Sequence, residues 1–311
     1  MHRLSVSLPA FSFKLTLAAI AFVLALGPAR AADPVVVASK IDTEGALLSN
    51  IIAHALQARG LSIERRLQLG PTNILRSAIL AGQIDIYPEY TGNGALFFHQ
   101  ESDPVWKNAA RGYDRVKALD GARNGLVWLQ PAPANNTWVI AVRRDIAIGR
   151  HCLDDFARYV NDGGRIRLAA SAEFVETPSA LPAFEQTYGF HLGGGQLLTL
   201  SGGNTAATMR AAAEGVSGVN AAMAYGTDGE LAAFGLDALC DDRGAQIVYA
   251  PAPVVRAAVL QPHPEIQAAL DPVFASLTLE TLQRLNAEIA VTGEDAGSVA
   301  AEYLKSAKLL P

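Results

Sequence analysis

Along this chain, short apolar runs alternate with segments whose apolar residues recur every three or four positions, the rhythm of strand and helix that builds a mostly parallel sheet. Val35-Val36-Val37-Ala38-Ser39-Lys40 reads as a buried strand. Leu47, Leu48, Ile51, Ile52, Ala55 and Leu56 then fall at helical spacing, with Asp42 or Thr43 as the N-cap and Gly60 as the stop. A second strand spans residues 61–69, and Gly70-Pro71-Thr72-Asn73 turns the chain into a helix from Ile74 to Ala81. The third strand runs into Asp85-Ile86-Tyr87-Pro88-Glu89-Tyr90-Thr91-Gly92-Asn93-Gly94, where proline and glycine force a sharp turn. This places two tyrosines and two carboxylates at the lip of a sheet, where open α/β folds hold their ligands.

The same alternation continues to the C-terminus. Strands are predicted at 125–129, 138–142, 165–170, 197–200 and 219–223, with helices at 153–161, 181–188 and from Thr205 to Glu214. The chain is expected to cross between two lobes near residues 140–145 and to return over 247–250, with Pro251-Ala252-Pro253 as the second hinge segment. Lobe one is then 33–140 with 251–311, and lobe two is 141–250.

The first residues follow another logic. Arg3 and Lys14 precede an apolar run from Leu15 to Leu26, and Pro28-Ala29-Arg30-Ala31 supplies small residues around a cleavage point after Ala31. Residues 1–32 therefore read as a secretory signal peptide: the run is too short for a bilayer span, and no cysteine is present for a lipid anchor. The exported remainder is expected to be soluble. Losing Arg3, Lys14 and Arg30, and no acid, moves the formal charge from −5 to −8, which argues against nucleic acid as a partner. The two cysteines, Cys152 and Cys240, lie in segments assigned to the same lobe. A disulfide and two buried free thiols are both open, and metal-ligand spacing is absent.

No catalytic pattern emerges: there is no G-x-S-x-G, H-E-x-x-H, phosphate-binding loop or G-x-G-x-x-G after a strand. Asp85 and Glu89, four residues apart across a turn, are poorly placed as a glycosidase pair. No cofactor is expected. What stands out is aromatic and small polar residues at strand ends: Tyr87, Tyr90 and Trp138 in lobe one, Tyr225 in lobe two. Aromatic faces attract a trimethylammonium group, which cannot donate a hydrogen bond. Thr72, Asn73, Thr91, Asn136 and Thr227 offer hydroxyls and amides for a polar tail, and Asp85 offers a carboxylate, although Asp85 and Asp228 also read as helix or turn caps.

The stretches Ser39-Lys40-x-Asp42-Thr43-Glu44, Asp85-x-Tyr87-Pro88-Glu89-Tyr90-Thr91-Gly92, Asn136-Thr137-Trp138 and Tyr225-Gly226-Thr227-Asp228-Gly229 resemble the signature stretches of the osmoprotectant substrate-binding proteins. These are exported receptors of ABC importers for glycine betaine, choline, carnitine and proline betaine. The run Ala132-Pro133-Ala134-Asn135-Asn136-Thr137-Trp138 is most similar to a low-affinity glycine betaine branch of Gram-negative bacteria. The resemblance implies a type II periplasmic binding protein fold: two α/β lobes, joined by a two-segment hinge, that close on the ligand. It further implies a monomer in the periplasm, an ABC permease as partner, and a quaternary-amine cage of Tyr87, Trp138 and Tyr225. One departure from the family pattern falls at Ser201-Gly202-Gly203-Asn204-Thr205-Ala206-Ala207, where an aromatic is expected and none stands. A missing wall implies weak binding. An enzyme or a sensor domain on the same scaffold is the alternative from another class.

Overall fold

The structure is a computed structural model that describes residues 1, 2, 5, 33–200 and 205–311. Its contacts divide into two units, 1–33 and 34–311. The predicted signal peptide and its cleavage point, and Ser201–Asn204 of the expected gap, lie outside the described residues apart from positions 1, 2 and 5.

Two five-stranded sheets organise residues 34–311. The first contains β1 (Val35–Lys40), β2 (Ile63–Gly70), β3 (Ile86–Tyr90), β4 (Leu126–Trp128) and β10 (Pro251–Arg256), in the order β2-β1-β3-β10-β4. The second contains β5 (Trp138–Arg143), β6 (Leu168–Ser171), β7 (Leu197–Leu200), β8 (Ala221–Tyr225) and β9 (Leu236–Ala238), in the order β7-β6-β8-β5-β9. In each sheet the parallel strands are joined by helical crossovers, and one strand that crosses from the other lobe, β10 or β5, runs antiparallel to its neighbours. Each sheet is packed on both faces. In lobe one, Leu47, Ile51 and Leu56 of the helix Thr43–Gln57 meet Leu270, Phe274, Leu282 and Leu285 of the C-terminal helices on one side, and Trp106, Trp128 and Tyr87 fill the other. Lobe two is packed around Phe156, Phe174 and Phe184 on one face and Met209 with small residues on the other.

The crossing differs from expectation. β5 begins at Trp138 and pairs along its length with β8, Trp138 opposite Tyr225 and Val142 opposite Ala221, so residues 138–140 belong to the second sheet. The outward crossing is 130–137, and the return ends at Ala250, because Pro251-Ala252-Pro253 already pairs with β3 as Tyr90, Glu89 and Pro88. The two crossings are stitched together: the Asn136 N–H donates to the Tyr249 carbonyl at 3.0 Å, the Tyr249 N–H to Asn135 Oδ1 at 2.8 Å, and Thr137 Oγ1 to the Ile247 carbonyl at 2.9 Å. Cys152 and Cys240 are joined by a disulfide in lobe two, which ties the start of the helix Leu153–Asn161 to the end of β9.

Candidate functional site

A cavity of about 590 Å³ lies where the C-terminal ends of β1, β3 and β8 meet the hinge. Its polar floor comes from lobe one. Asp42 caps the helix Thr43–Gln57 by accepting from the Gly45 N–H, which turns the first residues of that helix toward the cavity. Glu44, in its first turn, is 5% exposed and accepts from the Tyr90 hydroxyl at 2.7 Å, Asn136 Nδ2 at 3.1 Å and Asn286 Nδ2 at 2.8 Å. Burial raises the Glu44 carboxyl above its ordinary value, and hydrogen bonds from Thr227, Tyr90 and Asn286 oppose the rise.

Beside it, Lys40 is paired with the fully buried Glu89, which also accepts from the Tyr87 hydroxyl, the Tyr90 N–H and Asn93 Nδ2. The Lys40 ammonium sits 4.5 Å from the centre of the Tyr90 ring. Lys40 is the only basic side chain lining the cavity among the described residues, against the acids Asp42, Glu44, Asp228 and Glu230. Asp228 accepts from the Tyr225 N–H at 2.8 Å, and burial pushes its carboxyl up to about 6. The cavity therefore favours positive charge.

The aromatic walls are Trp138, Tyr225, Tyr249 and Tyr90. Trp138 and Tyr225 face each other across the β5–β8 pair, ring centres 6.4 Å apart and planes 17° from parallel, and Phe174 meets Trp138 edge-on at 5.8 Å. Burial raises the phenols of Tyr225 and Tyr249, and raises Tyr90 well above the ordinary value, so all three stay neutral. Tyr249 comes from the return crossing, and its ring lies directly over Gly92, where a Cβ would approach Cδ1 to 2.7 Å. That glycine is required for close approach.

Of the residues singled out from sequence, Trp138, Tyr225, Tyr90, Thr72, Asn136 and Thr227 line this cavity. Four do not. Tyr87 is completely buried in the lobe-one core, its hydroxyl on Glu89 at 3.0 Å, so it is no cage wall. Its side chain points to the opposite face of β3 from that of Tyr90, as the two-residue period of a strand requires for positions three apart. Asp85 precedes β3 and lies at the other end of the strand, bound to the Val36 N–H and to Arg256. Thr91 is a hinge residue: its hydroxyl donates to the Val248 carbonyl and accepts from the Ala250 N–H. Asn73 is exposed on the helix Thr72–Leu80. Tyr249, Asn286, Glu44 and Lys40 were not singled out as ligand groups. The Lys40 to Glu44 stretch was available as a strand end running into a capped helix, whereas Tyr249 and Asn286 carry no local signal. At the expected gap, Thr205 and Ala206 line the cavity from the start of the helix Thr205–Glu214.

Comparison with known proteins adds identity to this geometry. Residues 33–306 match the family described as the substrate binding domain of the ABC-type glycine betaine transport system. The chain is 59% identical over 280 residues to the glycine betaine-binding protein YehZ of Escherichia coli K12, covering 89% of this chain and 92% of that protein. It is 33% identical over 287 residues to a glycine-betaine-binding protein of Pseudomonas aeruginosa, covering 90% and 89%. The solved apo structure of the E. coli protein aligns with a TM-score of 0.84 at 58% identity, over 89% of this chain and all of that one. The two sheets and their paired crossings are those of a type II periplasmic binding protein. With matches across nearly the whole of residues 34–311, this chain belongs to the family of substrate-binding domains of ABC-type glycine betaine transport systems.

Proposed function

We propose that this protein binds a quaternary ammonium osmoprotectant, glycine betaine, in the inter-lobe cavity, and delivers it with low affinity to an ABC permease from the periplasm, acting as a monomer and without catalysis. The observation that carries the reading is the cavity itself. Trp138, Tyr225, Tyr249 and Tyr90 present ring faces, and four carboxylates line the same space with one lysine that is already paired. A trimethylammonium group needs this combination, because it forms no hydrogen bond and is held by aromatic faces and nearby negative charge.

The carboxylate of the ligand requires donors. The Thr43 hydroxyl and the start of the helix Thr43–Gln57 border the cavity and suit it. Closure of the two lobes about the crossings 130–137 and 246–250 would enclose the ligand and present both lobe rims to the permease. The reading of low affinity is supported by the sequence of the stretch Ser201–Ala207, which contains no aromatic. The excess of acids also suits choline, a cation without a carboxylate, as a second ligand. Among the described residues no helix is long and apolar enough to cross a membrane.

Trp138 provides the test. Trp106 and Trp128 are buried in the lobe-one core, so Trp138 is the tryptophan placed to report ligand. Intrinsic fluorescence and calorimetry against glycine betaine, choline, carnitine and unmethylated glycine are expected to give saturable binding of the methylated amines only. No response to any quaternary amine at millimolar concentration refutes the proposal.

A further inference from the structure

The helix Leu279–Ala290 belongs to lobe one by its packing. Thr278 caps it by accepting from the Thr281 N–H, and Leu282 and Leu285 are buried against Leu47 and Phe274 in the lobe-one core. A second stripe of the same helix, Gln283, Asn286, Ala287 and Ala290, follows the three-and-four spacing of one helical face. This stripe meets lobe two. Gln283 Nε2 donates to the Gly226 carbonyl at 2.8 Å, and Asn286 Nδ2 donates to the Thr227 carbonyl at 2.9 Å. Gly229 lies against the helix backbone: a Cβ there would come within 2.2 Å of the Ala287 nitrogen. The loop so gripped, residues 226–229, follows β8 directly after Tyr225 and carries Thr227 and Asp228 of the cavity.

We propose that this stripe is a closure latch, in which Gln283, Asn286 and the close approach at Gly229 hold the lobe-two loop against lobe one and thereby set how long a bound ligand is retained. The inference rests on the binding function proposed above and adds positioning residues to it. The latch reaches the site through Asn286, whose Nδ2 also donates to Glu44 Oε2 on the cavity floor. Glu44, Asn286 and Thr227 thus form a continuous polar bridge from one lobe to the other. Gln283 is the informative member because it lies outside the cavity lining. Any effect it has on binding must act through the loop it holds. Contacts that exist only with the lobes together shift the balance toward the closed state, and the ligand is then released more slowly.

The test compares wild type with Gln283→Met, which keeps the side-chain length and removes the donor, and with Gly229→Ala. Stopped-flow Trp138 fluorescence with glycine betaine is expected to show a release rate about three- to tenfold faster in Gln283→Met, the worth of one neutral hydrogen bond, with the association rate unchanged. Gly229→Ala is expected to lose at least about tenfold in affinity, because the added methyl must push the loop off the helix. Thermal melts of the ligand-free variants check folding. A Gln283→Met variant that binds and releases like wild type overturns the latch, as does one that binds more tightly, which would make the contact a brake on closure. A wild type without saturable binding overturns the ligand assignment instead. Small-angle scattering of the ligand-free chain then reads the latch alone: Gly229→Ala must widen the molecule, and an unchanged radius of gyration refutes it.

Discussion

Asp228 makes the sharpest prediction, because it sets stability against binding. Its carboxyl is held at about 6, against an ordinary value of 3.8, chiefly by burial, with Glu230 and Glu44 adding to the rise. The Tyr225 N–H and Thr205 pull the other way. A carboxyl raised on folding binds its proton more tightly in the folded state, so the folded state loses stability as pH climbs from about 4 through about 6. The full interval corresponds to about 3 kcal/mol, and partial access to water reduces this to roughly 1–2 kcal/mol. Asp228→Asn removes the charge and keeps an oxygen to accept from the Tyr225 N–H. The variant is expected to be more stable than wild type at pH 8 by that amount, and the two should converge below about pH 4.5, as urea unfolding at both pH values will show. Binding should move the other way. A quaternary ammonium about 5 Å from an ionised carboxylate gains about 3 kcal/mol at an effective dielectric of ~20, part of which repays desolvation. Calorimetry should then find glycine betaine bound about five- to thirtyfold more weakly by Asp228→Asn at pH 7.5, and wild-type affinity rising between pH 5 and 7. An Asp228→Asn variant less stable at pH 8, with a flat pH profile of binding in wild type, refutes the reasoning.

Three further outcomes are expected. Tyr249→Leu should weaken glycine betaine binding about threefold to thirtyfold through loss of a ring face, whereas Tyr87→Phe, in the core, should leave affinity unchanged in the same titration. Lys40→Met strands the buried Glu89 charge and should cost roughly 3–5 kcal/mol in chemical denaturation, with much of that recovered in the Lys40→Met/Glu89→Gln pair. Replacing Cys152 and Cys240 by serine removes a link across 88 residues and should destabilise lobe two by about 2–4 kcal/mol in thermal unfolding without a change in ligand affinity, since the disulfide is absent from the cavity lining.

Much of the fold was legible because it rests on local signals. The apolar run before Lys40, the helix capped by Asp42 and the helix over 181–188 each appear where sequence places them. Sheet membership is a different kind of fact. The run 138–142 has the same appearance as a strand of either lobe, and only its pairing with β8 and β9 decides. The site divides along the same line. Trp138 and Tyr225 are adjacent partners on neighbouring strands, and both were found as strand-end aromatics. The family pattern implies Tyr87 as a cage wall, whereas the strand period opposes it to Tyr90 and sets it on the same face as Glu89, which it meets. Asp85 lies five residues before Tyr90, about 16 Å along an extended chain, too far to share the lip.

Tyr249 shows why the remaining wall was hidden and why that matters for mechanism. Nothing in Gln246-Ile247-Val248-Tyr249-Ala250 announces a ligand group, because its position is fixed by the opposite crossing through Asn135 and Asn136. The residue is therefore both a wall of the cavity and a part of the hinge. A ligand seated against its ring touches the segment about which the lobes turn, and Asn136, its hydrogen-bonded partner, also donates to Glu44 on the floor. Binding energy spent at this wall is spent at the pivot, while the stripe of Gln283 and Asn286 acts at the loop after β8. The two levers are separable by kinetics. Loss of the Tyr249 ring should weaken capture and retention together, and loss of the Gln283 donor should shorten retention alone.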